Sequence, residues 1–160
     1  MEKVFNLLNE QLFGVLRGEE YLVISFSGEN SQFIRFNNAL VRQTGLVDDA
    51  NVGLKFIANG RTCHGAFTVS GNQHIDFQRG VAEIKRMRKE SEEIPEDPYL
   101  VLPKNLGSSN EIKKSNGLNF DDSVDALTPV MEGIDFVGIW VNGKIYRGNA
   151  NNLGQRHWFQ

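Results

Sequence analysis

The chain has 160 residues, of which 40% are hydrophobic, 23% charged and 10% aromatic, and its formal net charge is −3. That length suits one domain burying roughly two-thirds of the surface its unfolded form exposes, and the composition excludes a disordered chain. Its 17 Lys and Arg are dispersed among 20 acids, so overall charge offers no attraction to nucleic acid or anionic lipid, and neither is expected as a partner.

Residues 3–17 carry Phe5, Leu8, Leu12 and Val15 at spacings of three and four, with Glu2, Asn6 and Glu10 opposite. This predicts a helix that packs on a sheet, with Gly18 as its C-cap. Residues 21–27 switch to period two, with Leu22, Ile24 and Phe26 on one face, and a Gly28-Glu29-Asn30 turn is expected to lead into a strand over 33–36. The segment SQFIRFNNALVRQTGLV, 31–47, reads as two short strands around an Asn-Asn turn. Its polar residues Arg35, Asn37, Arg42 and Gln43 interrupt runs where a plain core sheet carries Val or Ile.

Asp48-Asp49 is expected to turn the chain into a strand over 52–58, and Asn59-Gly60 to turn it back into one over 61–69, because both central residues accept positive φ. A helix over 77–94 follows, with Phe77, Val81, Ile84 and Met87 as its buried stripe and Pro95 as its stop. The basic cluster 85–89 is answered by Glu90, Glu92 and Glu93, the composition of a solvated face with opposite charges in reach. Residues 96–120, rich in Pro, Gly, Ser and Asn, read as an exposed, irregular excursion.

A short helix capped by Asp121, Asp122 or Ser123 is expected to run to Met131 or Glu132. A hairpin is then expected to pair 134–141 with 144–149 across Asn142-Gly143, before a last strand over 155–160. Strands grouped together rather than alternating with helices predict an α+β fold: a mainly antiparallel sheet, meander plus C-terminal hairpin, with two to three helices on one face. Residues 1–160 are expected to form a single domain. The final His157-Trp158-Phe159-Gln160 falls inside an expected strand, which points to the N-terminal piece of something longer.

The residues offer no local catalytic signature. His64, His74 and His157 show no zinc-ligand spacing. Cys63 and His64 are consecutive on a strand and point to opposite faces, so they cannot pair as nucleophile and base. A G-x-S-x-G elbow and a phosphate loop are both missing. The run GNANNLGQ, 148–155, joins two strands and reads as a turn rather than an anion cradle. Asp48-Asp49 and Asp121-Asp122 occupy turn and cap positions. The single cysteine rules out an intramolecular disulfide and fits a cytoplasmic location. No apolar run approaches the roughly 18 residues of a membrane span, and the start MEKVFNLLNEQLF lacks the basic region of a signal peptide.

FIRFNNALVRQTG, with its R-F-x-N core, and YRGNANNLGQ, in this order among the elements above, resemble the early strand pair and the later strand and Asn-Gly turn of the N-terminal domain of the TldD/PmbA family of metallopeptidases. The resemblance covers nearly all 160 residues. It implies an intracellular protein forming homo- or heterodimers, with zinc bound well downstream by a helix carrying His-Glu, three residues and His. Some members have lost that motif and serve as non-catalytic partners. This chain contains no such motif, so no metal ligand and no catalytic residue is carried over, and zinc is expected only in a downstream domain.

The resemblance therefore implies a non-catalytic N-terminal domain of a zinc-dependent peptidase, serving substrate access and dimer assembly. Its partner would be a peptide or unfolded protein segment added at a sheet edge, with Arg35, Asn37 and Gln43 as the substrate-binding residues. A stand-alone α+β peptide- or protein-interaction module is the alternative. A small hydrolase built from residues read here as structural is the third class.

Overall fold

A computed structural model of the chain describes residues 1–129 and 133–160. Its elements in order are α1 (Glu2–Phe13), β1 (Tyr21–Asn37), β2 (Leu40–Ala58), β3 (Arg61–Thr68), α2 (Gln73–Glu93), β4 (Ser109–Glu111), α3 (Phe120–Leu127), β5 (Gly138–Asn151) and β6 (Arg156–Phe159). The strands form one sheet in the order β3-β2-β1-β5-β6-β4. The β2–β3 and β5–β6 pairs are antiparallel and β4–β6 is parallel, so the expected α+β class holds. The residues cluster into two compact units: Met1–Gly28, Ala50–Ile112 and Tyr146–Gln160 form the first, and Glu29–Asp49 and Lys113–Ile145 the second.

The core of the first unit follows from two periodicities. Along β1, Leu22, Ile24 and Phe26 are buried, and along β2 Val52, Leu54 and Phe56 are, alternating with more exposed neighbours until Ile57 and Ala58, which are buried as well. Phe5, Leu8 and Leu12 of α1 and Ile84 and Met87 of α2 cover that face. Phe5 sits in an aromatic cluster, its ring centroid 5.7 Å from Phe26 and 5.5 Å from Trp158, with Tyr146 6.0 Å beyond Trp158. Glycine is required beneath it, because a Cβ on Gly148 would lie 2.8 Å from Phe5 Cζ.

The helix boundaries differ from those expected. α1 stops at Gly14, while Val15 and Leu16 still pack on the core and Gly18 takes the positive φ (50°) in the turn that follows. α2 begins one turn earlier than its apolar stripe suggested, because Asn72 is its N-cap: its Oδ1 accepts from the backbone N–H of His74 and Ile75. His74 therefore lies in the first turn of a helix. Asn72→Ala should lower stability by about 1 kcal/mol, readable as a reduced urea midpoint at unchanged slope. The stop before Pro95 is as expected, with Ile94 extended (ψ 155°).

Three expected turns are absent because the strands run through them. Gly28 is buried inside β1, and Asp48 and Asp49 are exposed residues within β2. Asn142-Gly143 lies inside β5. Gly143 is nearly extended (φ 157°), and a Cβ there would collide with Asn30 O and Ser31 Cα; glycine permits a close backbone approach rather than a turn. The two remaining hairpins do turn, at Asn38-Ala39 (φ 50° and 54°), one residue beyond the Asn37-Asn38 pair, and at Asn59-Gly60 (φ 52° and 69°).

In the second unit, Ile34 and Phe36 are buried beneath Val124, Leu127 and Trp140, and Phe136 packs edge-on to Phe36 at 5.9 Å. α3 is capped by Asn119, whose side chain accepts from Asp122 N–H, and ends at Leu127 with Thr128 as its C-cap. An end at Met131 or Glu132 lies outside the described residues. The excursion 96–120 is mostly exposed, and within it Ser109–Glu111 forms the parallel partner of β6.

Candidate functional site

β2 is longer than its partner β3. Their register runs from Asn51↔Thr68 to Ala58↔Arg61, so residues 40–49 have β1 on one side and, among the described residues, no strand on the other. Every residue from 40 to 44 is exposed, and Leu46 keeps 79% of its surface. A long edge with open backbone groups and exposed Leu40, Val41 and Leu46 is a template for another strand. The opposite situation holds at the β3 edge, where α2 occupies carbonyls: Arg86 Nη2 donates to His64 O at 2.8 Å and Arg79 Nη1 to Thr68 O at 2.7 Å.

Arg35 and Asn37 are exposed on β1, alternating with buried Ile34 and Phe36, so they share the face away from the second unit's core. Gln43 is exposed within the open stretch of β2, as is Arg42. The structure thus brings the three expected residues onto one two-stranded ribbon, with only Gln43 on its free edge strand. Reading Asp48-Asp49 as a turn concealed that edge, along with the exposed Leu46 beside it.

In the first unit, the sheet face away from the helices forms a cleft of about 540 Å³ whose lining includes Ser25, Asn51, Ser109, Arg147, Asn149 and His157. β4 and β6 place Ser109 directly beside His157, and Ser109 Oγ lies 2.8 Å from His157 Nδ1. Of the 148–155 run expected as a turn, Gly148–Asn151 instead finish β5, with Gly148, Asn149 and Ala150 paired to β6, and only residues 152–154 make the turn, held by the run's own asparagines. Asn152 Oδ1 accepts from Leu22 N–H and its amide donates to Glu20 O. Asn151 does the same for the turn itself, accepting from the N–H of Leu153 and Gln155.

Other residues considered for chemistry have structural surroundings. Cys63 is buried while His64 is exposed, as alternation on β3 requires, and burial pushes the Cys63 thiol up, away from thiolate reactivity. Within the basic cluster, Arg86 pairs with Glu83 at 2.9 Å and Glu90 at 2.7 Å on the helix surface. Arg88 instead turns inward, donating to both carboxylate oxygens of Glu20 at 2.5 and 2.8 Å with its guanidinium 6.0 Å from the Phe56 ring centroid. Among the described residues no group of three or more His, Cys, Asp or Glu side chains could hold a metal ion, and no helix is long and apolar enough to cross a membrane.

The sequence matches no protein-family profile and no curated protein. Its fold is that of solved structures. A "putative modulator of a DNA gyrase" from Thermotoga maritima is matched at TM-score 0.63 and 15% identity over 96% of this chain and 36% of that one. A protein so described from Bacteroides thetaiotaomicron is matched at 0.64 and 14% over 98% and 38%. TldE from Thermococcus kodakarensis is matched at 0.63 and 13% over 97% and 37%. The chain therefore spans little more than a third of the length of the structures it resembles.

Proposed function

We propose that the chain is the N-terminal, non-catalytic domain of a TldD/PmbA-like zinc-dependent peptidase, and that it receives an extended peptide or unfolded segment as an added strand along residues 40–49 of β2. The observation that carries this reading is the open edge itself: a row of backbone N–H and C=O groups next to exposed Leu40, Val41 and Leu46. Main-chain pairing gives such a site affinity with little dependence on sequence, which suits a domain that must accept varied substrates. Gln43 on that strand, with Arg35 and Asn37 on the adjoining one, would hold the peptide by side-chain hydrogen bonds and by pairing with its acidic groups.

The fold match over nearly the whole chain to structures more than twice as long supports the domain reading, and TldE among them supports the TldD/PmbA assignment and, with it, a homo- or heterodimeric, cytoplasmic parent. The described residues do not fit a zinc site, so zinc would belong to a downstream segment, held there by residues outside this chain. Dimer assembly would be shared with the rest of that protein.

The test is peptide affinity in the complete protein. Arg35→Ala and Asn37→Ala are each expected to weaken binding of an unstructured acidic peptide about 2- to 10-fold, the scale of one hydrogen bond or exposed ion pair. Unchanged affinity in both removes these residues from the site.

A further inference from the structure

The Ser109–His157 contact has the atoms of a hydrolase's serine and base, and the hydrogen-bond chain behind it decides which way the proton points. Asn151 is buried, and its amide orientation is unambiguous: Oδ1 accepts from the backbone N–H of Leu153 (3.0 Å) and Gln155 (3.3 Å), while Nδ2 donates to Lys104 O (3.0 Å). Backbone N–H groups only donate and carbonyls only accept, so the oxygen and nitrogen cannot be exchanged. Nδ2 also donates to the Gln155 side chain at 3.2 Å, and the atom receiving it must be Oε1. Gln155 therefore turns its Nε2 toward His157 Nε2, 3.0 Å away.

An amide NH₂ has no lone pair to offer, so His157 Nε2 must be the acceptor. In the neutral ring the proton is then on Nδ1, and Nδ1–H donates to Ser109 Oγ across 2.8 Å.

We infer that Asn151 and Gln155 lock His157 in the Nδ1–H tautomer, so that Ser109–His157 is a dyad of reversed polarity: the imidazole gives a hydrogen bond to the serine and cannot take its proton. A general base needs a bare nitrogen facing the hydroxyl, and here the bare nitrogen is engaged by Gln155. The Ser109 hydroxyl proton is left pointing away from the ring. Ser109, which lines the cleft, can therefore meet a ligand as a donor to an acceptor oxygen and not as a nucleophile. Gln155 is a positioning residue, and its replacement by Glu changes donor to acceptor at nearly constant shape. In Gln155→Glu the carboxylate would accept from Nε2–H, freeing Nδ1 to accept from Ser109, which is the acid, histidine, serine order of a triad.

The test reads the ring nitrogens directly. Long-range proton–nitrogen NMR of the 160-residue chain at pH 8, with His157→Gln to assign the signal, is expected to show His157 protonated at Nδ1 and bare at Nε2. A fluorophosphonate probe is expected to leave Ser109 unlabelled. Protonation at Nε2 in the unmodified chain, or a Ser109 adduct, would overturn the inference. Gln155→Glu is expected to move the proton to Nε2 with the rest of the spectrum retained, and an unmoved proton in a folded Gln155→Glu variant would show that Gln155 does not set the tautomer.

Discussion

Phe5→Ala is expected to cost about 3–5 kcal/mol, the cost of deleting a large buried aromatic side chain from a core that cannot collapse around the space. Phe5 is fully buried and touches three things that define the first unit: Phe26 of β1, Trp158 of β6 and the backbone at Gly148 of β5. Each of those partners is fixed by its own strand, so none can move in to fill the hole. For a chain of this size the loss corresponds to a fall of roughly 6–20 °C in Tm, measured by calorimetry or by tryptophan fluorescence through Trp158. A fall below about 2 °C would mean that α1 does not pack on the sheet as described.

The second large effect is expected at Glu20–Arg88, an inward ion pair whose side chains keep 10% and 18% of their surface. Arg88 also donates to Val15 O at 3.3 Å, and Arg17 N–H donates to Glu20 at 2.8 Å, so the pair fastens the segment after α1 to α2. Arg88→Met should cost about 2–3 kcal/mol, between the small value of a surface pair and the cost of stranding a fully buried charge.

The pair also sets a pH dependence. Burial pushes the Glu20 carboxyl up, but the hydrogen bonds from Arg88 and from Arg17 N–H, together with the positive charges of the two arginines, outweigh it and hold the group below its ordinary value. The folded state therefore binds this proton less readily than the unfolded chain does. The resulting stabilisation is complete above the unfolded value near about pH 4.3 and is lost as pH falls through the lower folded one. Glu20→Gln should flatten that acid limb. Urea midpoints of the two proteins measured from pH 6 to pH 3 should converge, and parallel curves would contradict the assignment.

What the sequence made legible was periodic. The alternation of Leu22, Ile24 and Phe26, the stripe of Phe5, Leu8 and Leu12 and the Asn59-Gly60 hairpin all appear where local chemistry placed them, because each satisfies its own geometry and the core together. The misplaced features were those in which a local signal competes with pairing from a distant strand. Gly28-Glu29-Asn30, Asp48-Asp49 and Asn142-Gly143 have turn composition, yet β1, β2 and β5 continue through them. Arg88 shows the same limit: its neighbours in sequence suggest a solvated face, and only the fold reveals Glu20 across from it.

At the candidate site, Arg35, Asn37 and Gln43 were visible as polar interruptions, but the edge that gives them a purpose was not. An edge exists because β3 ends at Thr68 opposite Asn51, and strand length relative to a partner is a property of pairs. His157 and Ser109 are 48 residues apart and meet only through the parallel β4–β6 register. Nothing in either local sequence announces the other.

The most direct test of the peptide-edge reading is amide hydrogen exchange across residues 40–49, with and without a saturating extended peptide. Strand addition would protect alternate amides in that stretch, those whose N–H groups face outward, and leave β3 unchanged. Full exchange along 40–49 in the presence of bound peptide, or protection confined to another edge of the sheet, would contradict it.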